Sequence, residues 1–199
     1  PLPNDAPHLL ERLATEQPGQ RIQTSVRQAL QRQTQALVNR YAREYSSNHI
    51  HNLAAIVADV ETGEVLAYAG NATYPADERR GNQVDIITSP RSTGSILKPF
   101  LYAGMLHDGL LLPSMLVSDV PLNINGFSPH NYNKTFYGAV PAHVAIERSL
   151  NVPLVRMLSQ YNTGRFMSLL KSWGMTTLRF SEEHYGASLI LGGAEGTLW

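Results

Sequence analysis

Ser95 and Lys98 stand three residues apart in Gly94-Ser95-Ile96-Leu97-Lys98-Pro99-Phe100, where loop-type residues give way to an apolar pattern. On a helix, positions i and i+3 share a face, so the lysine amine can reach back toward Ser95 Oγ. A serine hydroxyl attacks a carbonyl at neutral pH when an adjacent base takes its proton. Lysine can be that base once burial and neighbours bring its pKa well below the ~10.4 of a free side chain. Pro90, Ser92, Thr93 and Gly94 precede the serine, and Leu97, Phe100, Leu101 and Met105 follow at helical spacing. Ser95 is therefore expected in the first turn of a helix running from about Ser95 to His107. There the unpaired N–H groups and the positive end of the helix dipole favour an oxyanion. Spacing alone describes a helix cap and a solvated lysine equally well.

The chain carries its own control, a second S-x-x-K at Ser168-Leu169-Leu170-Lys171. It lies within Phe166, Leu169, Leu170 and Trp173, the apolar stripe of an amphipathic helix, and reads as structural. A second constellation sets Ser95 apart: Ser149-Leu150-Asn151. Ala142 to Leu150 reads as a short helix, Asn151 to Pro153 as an interruption, and Leu154, Val155, Met157 and Leu158 as a resumed helical pattern. A break between helices presents side chains to a cleft. Ser149 there can relay a proton between Lys98 and a leaving amine, while the Asn151 amide can hold both the lysine and a substrate carbonyl. Ser46-Ser47-Asn48 repeats the S-x-N pattern in a polar stretch and reads as linker.

Taken in order, these two motifs resemble the transpeptidase domain of penicillin-binding proteins, the enzymes that cross-link bacterial peptidoglycan. The stretch from Ala54 to Tyr68, turned at Thr62-Gly63, is similar to the opening hairpin of that domain. Pro129-His130-Asn131-Tyr132-Asn133 with Tyr137-Gly138 is similar to the stretch between its two motifs. Leu189 to Leu198 looks like the glycine-containing turn and helix start that come later. The wording is closest to the bifunctional class A type, and within it to the 1C subgroup. The resemblance implies an α+β, β-lactamase-like fold, a sheet with helices packed on it. It makes residues 1–50 a connecting segment and helix ahead of the domain, and residues 51–199 its N-terminal part. It implies Ser95 as nucleophile, Lys98 as base, and Ser149 and Asn151 as proton relay and amide clamp. It also implies stem peptides ending in D-Ala-D-Ala as substrates, β-lactams as covalent inhibitors, no cofactor, and an extracytoplasmic location.

The family's third motif, Lys-Thr-Gly or Lys-Ser-Gly, is not found; Lys134-Thr135-Phe136 and Lys171-Ser172-Trp173 lack the glycine. The resemblance places that triplet after Trp199. It implies that residues 1–199 hold an incomplete site, inactive alone, with a membrane anchor and a glycosyltransferase domain upstream. Three other readings use the same residues: a serine β-lactamase, a β-lactam sensor, and a non-catalytic cell-wall scaffold. Glu147 is the one carboxylate near the second motif, weak support for the deacylating base a β-lactamase needs.

Composition adds exclusions. Sixteen acidic and sixteen basic residues cancel, so no general attraction to nucleic acid or anionic membrane is expected. Arginines between Arg12 and Arg43 read as a solvated helix face. No cysteine is available for disulfides or thiol catalysis. No run approaches the ~20 apolar residues of a membrane span, and the N-terminus does not read as a signal peptide. His49 and His51 lack a third ligand at metal spacing. His130 reads as a surface residue or as one lining the cleft, and Tyr132 and Asn133 as turn formers or stem-peptide contacts.

Among elements, Pro1 to Gln20 reads as a connecting segment and about Ile22 to Tyr45 as a long helix. Leu53 to Val60 and Val65 to Ala69 read as a hairpin and residues 71–94 as a long loop. Helices at Pro153 to Gln160 and Gly164 to Trp173 complete the α+β plan.

Overall fold

The computed structural model describes residues 4–73, 78–124 and 126–199; Pro75 of the expected loop lies outside them. They fall into two compact units, residues 1–89 with 197–199, and residues 90–196. The first unit thus continues past residue 50 and includes the opening hairpin.

In the first unit, strand β1 (Ala55–Ala58) pairs antiparallel with β2 (Val65–Ala69), Ala55 opposite Ala69 and Ile56 opposite Tyr68. Helix α2 (Gln28–Glu44) lays Val38 and Ala42 against Ala69 and Ala72. Gln31, fully buried on α2, behaves toward β2 as another strand would: its Oε1 accepts from Tyr68 N at 2.7 Å and its Nε2 donates to Tyr68 O at 2.9 Å. A buried amide so paired leaves neither backbone group of Tyr68 unsatisfied.

Two expectations change here. The segment expected as a connector holds helix α1 (Pro7–Glu16). Pro7 starts it, since a missing N–H does no harm in a first turn, and Arg12 pairs with Glu16 one turn on at 2.8 Å. Helix α2 begins at Gln28, not Ile22, because the preceding residues run extended beside β2. Ser25 Oγ donates to Val65 O at 2.8 Å and Arg27 N to Leu66 O at 2.9 Å.

The second unit contains β3 (Arg91–Ser92), α3 (Leu97–His107), β4 (Leu116–Asp119), β5 (Gly138–Pro141) and α4 (Ala142–Glu147). It continues with α5 (Asn151–Tyr161), α6 (Thr163–Ser172), α7 (Glu182–Tyr185), a 3-10 turn at Gly186–Leu191, and β6 (Glu195–Gly196). Helix α5 is the axis of the core. Val152, Leu154, Val155, Met157 and Leu158 are all buried, and a single apolar cluster joins α5 to Leu97, Leu101 and Met105 of α3 and Phe166, Met167 and Leu170 of α6. Each such side chain contributes roughly 1.5–3 kcal/mol on burial, which is what fixes α3 and α5 side by side. Asp108, just past α3, accepts from Tyr161 Oη at 2.6 Å and Arg165 Nη2 at 2.7 Å and ties that end of the helix down.

The fold is α+β, as expected, but the described strands form three separate two-stranded antiparallel ladders: β1 with β2, β3 with β6, and β4 with β5. The β4–β5 ladder had no counterpart in the sequence reading. Its strands are four residues each and half exposed, so they carry little apolar alternation to read.

Candidate active site

Short segments of the second unit build the site. The first delivers Ser95. Thr93 N and Thr93 Oγ both donate to Ala194 O, at 3.0 and 3.2 Å, and Ser92 Oγ donates to Gly192 O at 2.8 Å. Gly94 has φ 53° and Gly192 φ 102°, and a Cβ on Gly192 would stand 2.9 Å from Gly94 Cα. The absent Cβ of Gly192 leaves room for this approach, and Gly94 supplies the left-handed φ of the loop. Gly192 and Ala194 therefore brace the Ser95 loop; the expected glycine turn is present, but a two-residue strand follows it instead of a helix start.

Beyond Gly94 the chain tightens through Ile96 N to Thr93 O (3.0 Å) and Lys98 N to Ser95 O (3.2 Å), i to i−3 bonds. Ser95 stands in this turn, just ahead of α3 and not inside it. It is exposed, and among the described residues its Oγ has no hydrogen-bond partner. Pro99 is the third helical residue, where a missing N–H leaves no bond unmade.

The second segment holds Ser149. Helix α4 ends with Ser149 N bonded to Ile146 O (2.9 Å) and Leu150 N bonded to Ala145 O (3.0 Å), the paired bonds of a Schellman ending. The residue at its turn must be left-handed, usually glycine; here Ser149 takes φ 50°. Leu150 and Ala145 are both buried, the apolar contact that accompanies this ending. The motif turns the Ser149 carbonyl and hydroxyl toward Lys98.

Lys98 is 1% exposed. Its Nζ donates to Ser149 O at 2.8 Å and Asn151 Oδ1 at 2.7 Å, and lies 3.2 Å from Ser149 Oγ. Burial pulls its pKa down to about 8, because the charged form loses its hydration. The Asn151 amide is oriented by its other end, Nδ2 donating to His130 O at 2.8 Å. The structure thus brings Lys98, Ser149 and Asn151 together. No hydrogen bond joins Lys98 Nζ to Ser95 Oγ among the described residues; the amine bonds at the α4–α5 junction.

Sequence reasoning assigned no role to two residues at this junction. Asn131 Oδ1 accepts from Asn151 N (2.9 Å) and Val152 N (3.2 Å), and its Nδ2 donates to both oxygens of Asp119 (2.9 and 3.0 Å) and to Thr135 O (2.9 Å). Asp119 is wholly buried and accepts also from Tyr137 N at 2.9 Å. The available signal was Asn131 within the stretch already singled out; nothing local marks Asp119.

The remaining candidates lie elsewhere. Ser168 is exposed on α6 and bonds back to Gly164 O at 2.9 Å, with Lys171 exposed beside it. Ser46 bonds to Arg43 O at the end of α2. Tyr132 is fully exposed, Asn133 bonds to Tyr137 Oη at 2.9 Å, and Glu147 is exposed at the end of α4. Among the described residues, no three His, Cys, Asp or Glu side chains gather as metal ligands. No helix of the described residues is long and apolar enough to cross a membrane.

Residues 53–192 match the family described as the penicillin binding protein transpeptidase domain, well over half of the chain. The chain belongs to this family. Penicillin-binding protein 1C of Escherichia coli is 32% identical over 197 residues, 99% of this chain and 25% of that protein. Penicillin-binding protein 1B of Vibrio cholerae is 30% identical over 110 residues, 52% of this chain and 14% of that protein. Among solved structures, the penicillin-binding protein PonA1 of Mycobacterium tuberculosis superposes with a TM-score of 0.67 at 18% identity, over 98% of this chain and 53% of that one, and so shares its fold. The chain spans about a quarter of the length of the E. coli relative. In this penicillin-binding domain the Ser95 loop, the Schellman turn and the α5 N-terminus are the parts that carry S-x-x-K and S-x-N.

Proposed function

We propose that this chain supplies the nucleophile-bearing part of a D,D-transpeptidase that cross-links peptidoglycan outside the cytoplasm. What supports the reading is the buried Lys98 amine, with Ser149 O, Ser149 Oγ and Asn151 Oδ1 around it. A neutral amine has two N–H donors and one lone pair. Ser149 O and the oriented Asn151 Oδ1 can only accept, so they take the two donors. The lone pair then faces hydroxyls: Ser149 at rest, Ser95 as substrate arrives.

Ser95 Oγ attacks the carbonyl between the two terminal D-alanines of a stem peptide, and Lys98 Nζ takes the hydroxyl proton. A new C–O bond forms. As the C–N bond breaks, the proton passes through the Ser149 hydroxyl to the departing D-alanine amine, leaving the acyl chain on Ser95. An amine from a second stem resolves the ester into a cross-link; water resolves it into a shortened stem. A β-lactam presents the same acyl group, but its leaving nitrogen stays tethered and the ester persists. A solved PonA1 structure of this fold is in complex with penicillin V. No Lys-Thr-Gly triplet occurs among the 199 residues, so residues 1–199 by themselves are expected to turn over no stem peptide.

Intact-mass measurement of the whole protein after exposure to penicillin tests the reading. The expected result is one added penicillin mass, absent from Ser95→Ala; an adduct that persists in that variant removes Ser95 as nucleophile.

A further inference from the structure

Asn131 and Asp119 take no part in the acyl-transfer steps, yet they grip the group that holds the base. At the start of α5 the cap position is Leu150, extended and without a side-chain acceptor. Asn131 Oδ1 fills that place from 20 residues away in sequence, accepting from Asn151 N and Val152 N. The adjacent residue, His130, accepts from the Asn151 side chain through its carbonyl. Two consecutive residues therefore fix both the backbone and the amide of Asn151, and the free end of that amide is the oxygen that meets Lys98 Nζ.

Asn131 cannot turn its amide around. Its Nδ2 is committed to both carboxylate oxygens of Asp119 and to Thr135 O, which leaves Oδ1 facing α5. Asp119 is in turn buried with donors from Asn131 and Tyr137. A buried carboxylate with every donor aimed at it is a rigid post, because losing any one donor exposes an unmet charge.

We propose that Asn131, locked by Asp119, is a positioning residue: it sets where Asn151 Oδ1 meets Lys98 Nζ, and so aims the lysine amine that serves Ser95 under the acyl-transfer roles proposed above. A helix cap of the ordinary kind would account for the two N–H bonds alone. It would not account for the second grip through His130 or for a buried carboxylate that takes the Asn131 amide with both of its oxygens. Lys98 itself is shifted only by burial, with no contribution from charged groups of α4, α5, α6 or the 3-10 turn. Asp119 is the one carboxylate of the network, three hydrogen bonds away.

The experiment measures, in the intact protein, the rate of penicillin acylation against penicillin concentration and pH, normalised to the folded fraction by thermal melting. Asn131→Ala is expected to slow acylation at saturation on the order of 100-fold, the loss typical of a misplaced catalytic group. The half-saturating concentration should change by less than about threefold, since uniform binding is untouched. The double variant Asp119→Asn with Asn131→Asp exchanges donor and acceptor: the carboxylate then caps α5 and the amide donates to it. It is expected to acylate at least about tenfold faster than Asn131→Ala, with its rate–pH midpoint moved above that of the parent, because negative charge nearer Lys98 favours the ammonium. If Asn131→Ala does not fold, Asp119→Asn alone decides, with a severalfold loss of rate expected. A parent rate and parent pH midpoint in the folded fraction of these variants overturns the positioning role. Ser95→Ala, run alongside, separates the two levels: no acylation there with parent-like Asn131 variants overturns the positioning role alone, whereas persistent acylation there overturns the nucleophile and the positioning role together.

Discussion

Lys98 Nζ meets Asn151 Oδ1 at 2.7 Å, and the same amide donates from its other end to His130 O at 2.8 Å. An amide held at both ends cannot flip, so it offers the lysine an acceptor and nothing else. Ser149 O is a second pure acceptor at 2.8 Å. Two fixed acceptors leave a neutral amine a single direction for its lone pair, and the hydroxyl nearest the amine is Ser149 Oγ at 3.2 Å. Burial to 1% exposure is what makes the neutral amine accessible at all.

Acylation by penicillin should therefore rise with pH through about 8. At pH 7 about a tenth of Lys98 is neutral, from the one-unit gap. The sign for stability runs the same way. The folded pKa lies below the ~10.4 of the unfolded lysine, so between them the unfolded chain binds more protons and this group's contribution to stability grows as pH rises. Lys98→Met should abolish acylation and flatten that part of the stability curve. A parent acylation rate independent of pH between 6 and 9 would exclude Lys98 as the base.

Ser149 combines two demands that conflict. The Schellman turn calls for a left-handed residue, which disfavours any side chain by about 1 kcal/mol or more, whereas the proton relay proposed for it calls for a hydroxyl. Ser149→Gly should raise stability by about 1 kcal/mol, a melting rise of a few degrees. Its acylation should fall by roughly 10²- to 10⁴-fold, the usual share of general acid–base catalysis. Ser149→Ala should lose the same activity without gaining stability. Equal melting temperatures for the glycine and alanine variants would show that φ 50° carries no strain.

The duplicated motif gives a clean control. Ser168 and Lys171 share the spacing of Ser95 and Lys98, but both are exposed on α6 and Ser168 Oγ bonds within its own helix. Ser168→Ala should change stability by less than about 0.5 kcal/mol and leave penicillin labelling untouched. Loss of labelling in Ser168→Ala would redirect the nucleophile assignment.

How much of this could be read from sequence depends on how local each feature is. Apolar spacing at Leu154, Val155, Met157 and Leu158 marked α5, because a buried helix writes its own period. A break between two helices was legible, but it was expected at Asn151 to Pro153 and falls at Arg148 to Leu150: the left-handed Ser149 ends α4 after Glu147, and α5 starts at Asn151, two residues before the proline. Helix α1 was missed although Leu9, Leu10 and Leu13 fall at helical spacing, because the prolines at 1, 3, 7 and 18 read as a connector. Ile22 and Val26 suggested helix, but hydrogen bonds to β2 hold that segment extended, and such long-range bonds leave no local trace. The i,i+3 spacing put the Lys98 amine within reach of Ser95, but it could not show that Ser149 O and Asn151 Oδ1, 51 and 53 residues on, take its hydrogen bonds. Asp119 and Asn131 were out of reach for the same reason: what they do is decided by partners 12 and 20 residues distant.

The brace behind Ser95 offers a last test of how position governs chemistry. Gly192 sits at φ 102° with Gly94 Cα only 2.9 Å from where its Cβ would be. Gly192→Ala must therefore move either its own turn or the loop that carries Ser95, and both are backbone, which yields less readily than a side-chain tip. A loss of about 1–3 kcal/mol is expected from the strained φ and the overlap together. Because the displaced loop is the one that presents Ser95, penicillin acylation of the folded fraction should also slow, on the order of 10- to 100-fold for a shift approaching 1 Å. Melting and labelling measured on one sample separate the two effects. A destabilised variant that still labels at the parent rate would show that Ser95 is placed by α3 alone and not by the β3–β6 ladder.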